Sequence, residues 1–303
     1  MGTGQKINST NQFDLLIVGQ GIAGSVLALS LMKAGYRVCV IDQPTLSLSS
    51  RVAAGIWNPV VFKRLTKSWL ADELVPELID FYTNCEKELN AAFITKRKII
   101  KPFTEEQEKH LWLKKAEHEN QFLDPQCYEG YELSVSQTIG SYSFVLEAGN
   151  LDVMAFLNAT KNYLLNQRSY VEDAFQHDQL TATGSGISYK ELRADAVVFC
   201  EGHLISKNPF FNWVPMKPAK GEVLTIKCEG LKLHQHILNK GIFILPLGND
   251  LYKVGATYEW EIVNDEPTEV RKEELTRKLN SVIQVPFEVI KHEAGVRPAV
   301  IDR

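Results

Sequence analysis

The chain is poor in the residues that would hold a metal or a disulfide framework. Its 303 residues contain five cysteines, Cys39, Cys85, Cys127, Cys200 and Cys228, scattered, odd in number and never in a C-x-x-C pair. That usage excludes a cysteine scaffold or a zinc ribbon and fits a reducing compartment. The seven histidines (His110, His118, His177, His203, His234, His236, His292) form no ligand spacing. His234 and His236 are two apart, which in a strand puts them on one face, but among Lys232, Gln235 and Asn239 they read as a solvated edge. No apolar run approaches the roughly 18 to 20 residues that span a bilayer. Residues 1–12 lack the apolar core of a signal peptide and read as a disordered leader, so the expected compartment is the cytoplasm. Positive charge is not in excess either: 33 Lys and Arg stand against 37 Asp and Glu, a formal net charge of -4. The basic footprint of nucleic-acid binding is therefore missing. Internal repeats and low-complexity tracts are absent as well.

What is present is globular and dense enough for a sizeable core. Hydrophobic residues make up 45% and charged residues 23%, enough for two domains or one large α/β domain with an insertion. The informative stretch is LLIVGQGIAGS, Leu15 to Ser25. Phe13 to Val18 reads as a buried parallel strand, Ile22 to Lys33 as a helix stopping near Gly35, and Tyr36 to Ile41 as a second strand ending at Asp42. Strand, glycine turn, helix, strand and acid within about 30 residues form the dinucleotide-binding βαβ pattern. Gly19 permits the tight turn, Gly21 lets the backbone approach a pyrophosphate, and Gly24 lets helix and strand pack closely. Gln20, Ile22 and Ala23 complete the loop and place the pyrophosphate at the positive end of the helix dipole. Asp42, with Gln43 after it, is placed to accept hydrogen bonds from an adenosine ribose, and an acid there disfavours the 2′-phosphate of NADP. The motif alone leaves NAD and FAD open.

Further stretches follow in order. They are SSRVAAGIWNP (Ser49 to Pro59), GNLDV with a helical run over Asp152 to Gln167, and ADAVVFCEG (Ala194 to Gly202). KPAKGEVLTIK (Lys217 to Lys227), ILPLGNDLYKVGATYE (Ile244 to Glu259) and AGVRP (Ala294 to Pro298) come after them. Together with the glycine loop they resemble the D-amino acid oxidase superfamily of FAD-dependent amine oxidoreductases, the glycine oxidase and sarcosine oxidase type. The resemblance runs from Phe13 to Arg303. It implies a Rossmann-like α/β FAD-binding domain interleaved with an antiparallel-sheet (α+β) substrate domain. The expected segments are 13–84 and 146–215 for the FAD domain, and 85–145 and 216–303 for the substrate domain. The residues agree from their side: EVLTIK and DLYKVGATY alternate as a half-exposed antiparallel sheet does, and ADAVVFCEG is an apolar β-rich run. The polar insert Thr104 to Asn120 reads as a solvated helical face.

The resemblance also distributes roles. Ala54, Gly55 and Ile56 lie where the family passes its backbone beside the flavin, Phe175 where it contacts the adenine, and Gly202 where the backbone approaches the cofactor. For each of these, packing alone is an open alternative. Arg297 matches the arginine of G-x-R-P that binds a substrate carboxylate, a task suited to a planar, permanently charged, bidentate donor. A structural ion pair with Asp302 is its alternative. Phe243 stands where glycine oxidase has a tyrosine, which keeps an apolar wall, removes a hydroxyl and makes glycine a poor candidate substrate. Tyr258 and Glu259 are candidates to supply a polar group, or simply an exposed strand end. Trp57 and Asn58 are candidates for the re face or the pocket mouth.

The implied reaction removes a hydride equivalent from an amine-bearing carbon of a small amino acid or amine, delivered to flavin N5, with Arg297 aiming the α-C–H. Oxygen and other electron acceptors stay open, and no metal is expected. Family members continue beyond G-x-R-P with a strand, a glycine-rich turn over the flavin ribityl chain and a final helix. The present sequence stops at Arg303: either the chain is truncated there, and weaker FAD binding is expected of it, or that segment lies beyond this sequence. A non-catalytic dinucleotide-binding protein and an NAD-dependent dehydrogenase stand as alternatives.

Overall fold

The computed structural model describes residues 11–43, 49–184 and 186–301. Most of the expected leader, and Asp302, lie outside them. The chain divides into two compact units. The first comprises residues 1–51, 154–219 and 296–303; the second comprises 52–153 and 220–295.

In the first unit four parallel strands lie in the order Ala196–Phe199, Leu15–Val18, Val38–Asp42, Tyr170–Glu172. Their near-continuous apolar character follows from cover on both faces. On one face Ile17, Val38, Val40 and Tyr170 pack with Ala28 of the Ile22–Lys33 helix and Leu164 of the Val153–Asn166 helix. On the other, Leu16, Cys39 and Ile41 meet Tyr189 and Ala194 of a small antiparallel sheet built from Leu180–Thr183, Gly186–Tyr189 and Leu192–Ala194. The Ile22–Lys33 helix has the limits its pattern implies. It closes through Gly35 at φ 90°, a left-handed position that glycine takes without strain.

In the second unit the main sheet has nine strands. Eight run in the order Glu288–Arg297, Ala219–Lys227, Leu251–Gly255, Phe243–Gly248, Ile237–Asn239, Ile94–Pro102, Gln137–Leu151, Ile56–Trp57, and Tyr128–Ser134 pairs with Gln137–Leu151 as well. Neighbouring residues alternate between two cores. Ile100, Phe144, Leu238 and Ile244 join Leu275 and Leu279 of the Glu269–Asn280 helix. Ile99, Val145, Ile237 and Leu245 join Trp112 of the Glu106–His118 helix. The sheet is therefore not half-exposed where EVLTIK suggested it: seven of the nine residues of Ala219–Lys227 are buried, with Leu224 and Ile226 in the core that holds Leu275 and Leu279. The polar insert is likewise anchored rather than wholly solvated, since Trp112 is fully buried and its indole N–H donates to the Asp124 carbonyl at 2.9 Å.

The chain passes between units at 51/52, 153/154, 219/220 and 295/296, whereas the sequence reading put the changes at 84/85, 145/146 and 215/216. The Ala71–Leu89 helix accounts for the first difference. It belongs with the Ile94–Pro102 strand, and its Glu86 carboxylate accepts the N–H groups of Phe93 and Ile94 at 2.6 and 2.8 Å. The two histidines do not share a strand face. His234 is exposed in a left-handed turn (φ 51°), while the half-buried His236 packs on Phe144 and lies 3.2 Å from the Tyr131 hydroxyl.

One buried polar cluster braces the second unit. The Lys220 ammonium donates to Asn264 Oδ1 at 2.8 Å and to the Glu266 carbonyl, with Glu222 Oε1 at 3.4 Å. Glu222 accepts the Thr268 N–H on Oε2 at 2.9 Å and the Thr268 hydroxyl on Oε1 at 3.0 Å, and His292 Nε2 lies 2.8 Å from the same Oε2. Both charges are 1% exposed, and together they tie down the loop 257–268.

Candidate functional site

The glycine loop has the geometry its spacing implied, and each glycine has its own reason. At Gly24 a Cβ would lie 1.9 Å from the Gly19 carbonyl oxygen, so helix and strand touch there through backbone. Gly19 is at φ 98°, and a Cβ on it would meet the Cys200 carbonyl at 2.5 Å. The Ala196–Phe199 strand end thus closes on the loop just before Gly202, itself at φ 59°. Gly21 caps the helix, and a Cβ there would meet only the Ser50 hydroxyl, at 3.1 Å. Ile22 and Ala23 are exposed at the helix start.

Asp42 ends the second strand beside this loop. Its Oδ1 accepts the Gln20 N–H at 2.8 Å and its Oδ2 the Tyr170 hydroxyl at 3.3 Å. The Gln20 side chain turns inward, donating to Ser25 Oγ and the Leu157 carbonyl at 3.1 and 2.9 Å. Gln43 follows half-buried. Phe175 stacks on Tyr189 with ring centroids 4.3 Å apart, in the core between the parallel sheet and the small meander. Nearby, Glu201 lies 3.0 Å from His177 Nε2 and accepts Asn208 Nδ2 at 2.6 Å.

These residues fit the ADP half of a dinucleotide. A helix N-terminus is open to an anion, a glycine there leaves room for a phosphate, and a carboxylate stands at the strand end where a ribose belongs. The Ser50 hydroxyl, which the sequence reading passed over, accepts the Ile22 N–H at 3.1 Å and so already supplies an oxygen to the helix start.

The second unit holds the remaining candidates except Arg297, which belongs to the first. Gly55 is at φ 66°, and a Cβ would lie 2.0 Å from the Leu151 carbonyl, whose own N–H donates to the Gly55 oxygen at 3.0 Å. The tight packing alternative therefore holds at this position. Ala54, Ile56 and Phe243 join the same core cluster, so the structure brings the small-residue segment and the apolar wall together. Phe243 faces Gly255 across the sheet, where a Cβ would meet its ring at 3.0 Å. Lys253, on the same sheet face, was not anticipated: its ammonium donates to the Val52 carbonyl at 3.0 Å, and burial holds its pKa below the usual lysine range. A charged residue inside an alternating strand was its only signal.

Other candidates are placed differently. Trp57 is not at a pocket mouth. It is 9% exposed, its indole N–H donates to the Glu147 carbonyl at 2.9 Å, and its ring fills the space over Gly149. Glu259 is committed to its own loop, accepting the N–H groups of Trp260 and Glu261 at 2.8 and 2.9 Å and pairing with Arg271. Tyr258 beside it is 60% exposed. Arg297 ends the Glu288–Arg297 strand, half-buried after three buried residues. Among the described residues, no helix is long and apolar enough to cross a membrane.

Comparison with known proteins accords with this geometry. The family described as FAD dependent oxidoreductase (DAO) matches residues 14–303. A glycine oxidase of Pseudomonas aeruginosa is 23% identical over 304 residues, covering 94% of this chain and 82% of its own. Among solved structures, glycine oxidase from Geobacillus kaustophilus superposes with a TM-score of 0.74 at 17% identity, covering 96% of this chain and 84% of that one. Iminodiacetate oxidase from Chelativorans sp. BNC1 gives 0.73 at 15% identity, covering 95% and 84%. The cofactor of this family is FAD, which does not favour the NAD-dependent and non-catalytic readings. This chain belongs to the family of FAD dependent oxidoreductases.

Proposed function

We propose that this enzyme oxidises the C–N bond of a small amine that also carries a carboxylate, an amino acid or an N-substituted relative. The observation that carries the reading is Arg297, a permanent cation half-buried at the end of a strand, in the sequence AGVRP. A guanidinium there holds a carboxylate through two parallel hydrogen bonds and so fixes which way the neighbouring carbon faces. Similar structures are those of a glycine oxidase, an iminodiacetate oxidase, an L-proline dehydrogenase and an L-amino acid deaminase, names that point to amino acids and related amines as substrates of those proteins.

FAD, when bound, supplies the redox chemistry by accepting a hydride at flavin N5. The protein's part is placement. Arg297 anchors the carboxylate, Phe243 offers an apolar wall without a hydroxyl, and the Ala54–Ile56 backbone lies against the same core as that wall. Tyr258, on the exposed loop, is the candidate for a polar contact. The missing hydroxyl at Phe243 favours a substrate with an apolar substituent over glycine itself.

Anaerobic mixing of the FAD-loaded protein with a panel of amino acids and N-alkyl glycines tests this. Bleaching of the flavin band is expected with carboxylate-bearing amines and not with their decarboxylated counterparts. Arg297→Ala is expected to lower kcat/KM by about a hundredfold, the loss of roughly 3 kcal/mol from a charged bidentate contact, and Arg297→Lys to restore little of it. Equal bleaching by amines with and without a carboxylate would sink the proposal.

A further inference from the structure

Asp42 carries two donors that the dinucleotide pattern does not itself require. Its Oδ1 receives the backbone N–H of Gln20, a contact built into the glycine loop. Its Oδ2 receives the phenol of Tyr170, a residue 128 positions away, on the strand beyond Asp42's own. A carboxylate oxygen offers two lone-pair directions. With one donor on each oxygen, the carboxylate is held against rotation about its Cβ–Cγ bond, and one lone pair per oxygen is left for an incoming ligand. Two outward acceptors a carboxylate-width apart match the neighbouring hydroxyls of a ribose.

Tyr170 is itself firmly placed. It is 9% exposed, packed with Ile17, Val40 and Leu164, and the Lys161 ammonium sits 4.9 Å above its ring centroid. Lys161 is held in turn by Glu172, at 2.7 Å, and Glu172 is the register partner of Asp42 on the adjacent strand. Burial, followed by the nearby Asp42 charge, pushes the phenol above its ordinary pKa, so the hydroxyl stays protonated and donates. The arrangement runs ammonium, aromatic face, phenol, carboxylate, all within the first unit.

We infer that Tyr170 is a cofactor-positioning residue: through its hydroxyl it orients the Asp42 carboxylate to receive the adenosine ribose diol of FAD. This rests on the assignment of Asp42 to the ribose. Tyr170 touches Asp42 rather than the ligand, and at 3.3 Å its hydrogen bond is long for an O–H donor, so its effect is a modest one on affinity.

The test is FAD affinity of the full chain, read from flavin fluorescence, for wild type, Tyr170→Phe and Asp42→Asn. FAD is compared with its analogue lacking the adenosine 2′-hydroxyl, and the melting temperature of each protein is measured without FAD. Tyr170→Phe is expected to raise the FAD Kd about fivefold with an unchanged melting temperature. In that variant, removal of the 2′-hydroxyl is expected to cost clearly less than in wild type, because the carboxylate that reads it is no longer held. Unchanged FAD affinity in Tyr170→Phe would overturn the proposal. So would an equal loss for FAD and the deoxy analogue, which marks a packing role alone. Asp42→Asn with wild-type FAD affinity would overturn the ribose assignment and the proposal with it, and is told apart by the residue at which it occurs.

Discussion

Gly24 lies in the first turn of a helix and Gly35 just past its end, yet glycine is needed at them for opposite reasons. Gly24 has no room: its Cβ would lie 1.9 Å from a backbone oxygen that cannot step aside. Gly35 has nothing within 4 Å and is glycine only because its φ is 90°. Gly24→Ala is therefore expected to push helix and strand apart, costing roughly 1–3 kcal/mol as overpacking does and abolishing FAD uptake. Gly35→Ala is expected to cost about 1 kcal/mol with FAD affinity intact. Urea denaturation alongside fluorescence titration separates the two, and parallel losses in both assays would contradict the distinction. These glycines were legible because their neighbours lie within six positions. Tyr170 was not, because nothing in YVEDAFQ says that its hydroxyl meets a carboxylate 128 residues earlier. The Lys220–Glu222 pair was hidden differently, since charges two apart in an alternating strand read as exposed until a second layer covers them.

At the level of elements, the loop 257–268 shows how a strand end becomes a rigid feature. Glu259 is held to about 2, well below the ordinary carboxylate range. The Glu261 backbone N–H is the main cause, Arg271 comes next, and the Trp260 N–H adds to both. A carboxyl whose pKa is depressed on folding stabilises the fold fully above its unfolded value, near 4.5, and loses that contribution as pH falls through about 2. Glu259→Gln is therefore expected to melt lower than wild type at pH 7, with the gap narrowing steadily below pH 4.5. Melting curves of both proteins between pH 7 and 2.5 check this, and a gap independent of pH would remove the charge from the account. The βαβ element was readable to within about two residues because strand, turn and helix signals sit side by side. The second unit's order was not readable: its strands pair across gaps such as Ile99 with Ile237 and Ile56 with Asn150, and only the alternation within each strand is local.

For the whole molecule, the family and its cofactor make a calorimetric and exchange prediction. Binding to the folded state alone stabilises by mass action, about 2.7 kcal/mol when free FAD stands a hundredfold above its Kd. If the glycine loop and Asp42 hold the ADP half, amide protection is expected to rise first over residues 18–25 and at Asp42. Uniform protection of both units with no excess at the loop would argue against the cradle as the ADP site.

The fourfold passage of the chain between its units also orders events during synthesis. The Leu15–Val18 and Val38–Asp42 strands are made before the whole stretch 52–153, but their outer partners, Ala196–Phe199 beside the first and Tyr170–Glu172 beside the second, come after it. At about 5–20 residues per second, that stretch alone takes roughly 5–20 s to translate. Through that interval the apolar strand LLIV has only Val38–Asp42 beside it, and neither unit can be completed from one unbroken length of newly made chain. Until Tyr170–Glu172 and Ala196–Phe199 have been made, the parallel sheet of the first unit is held at two of its four strands.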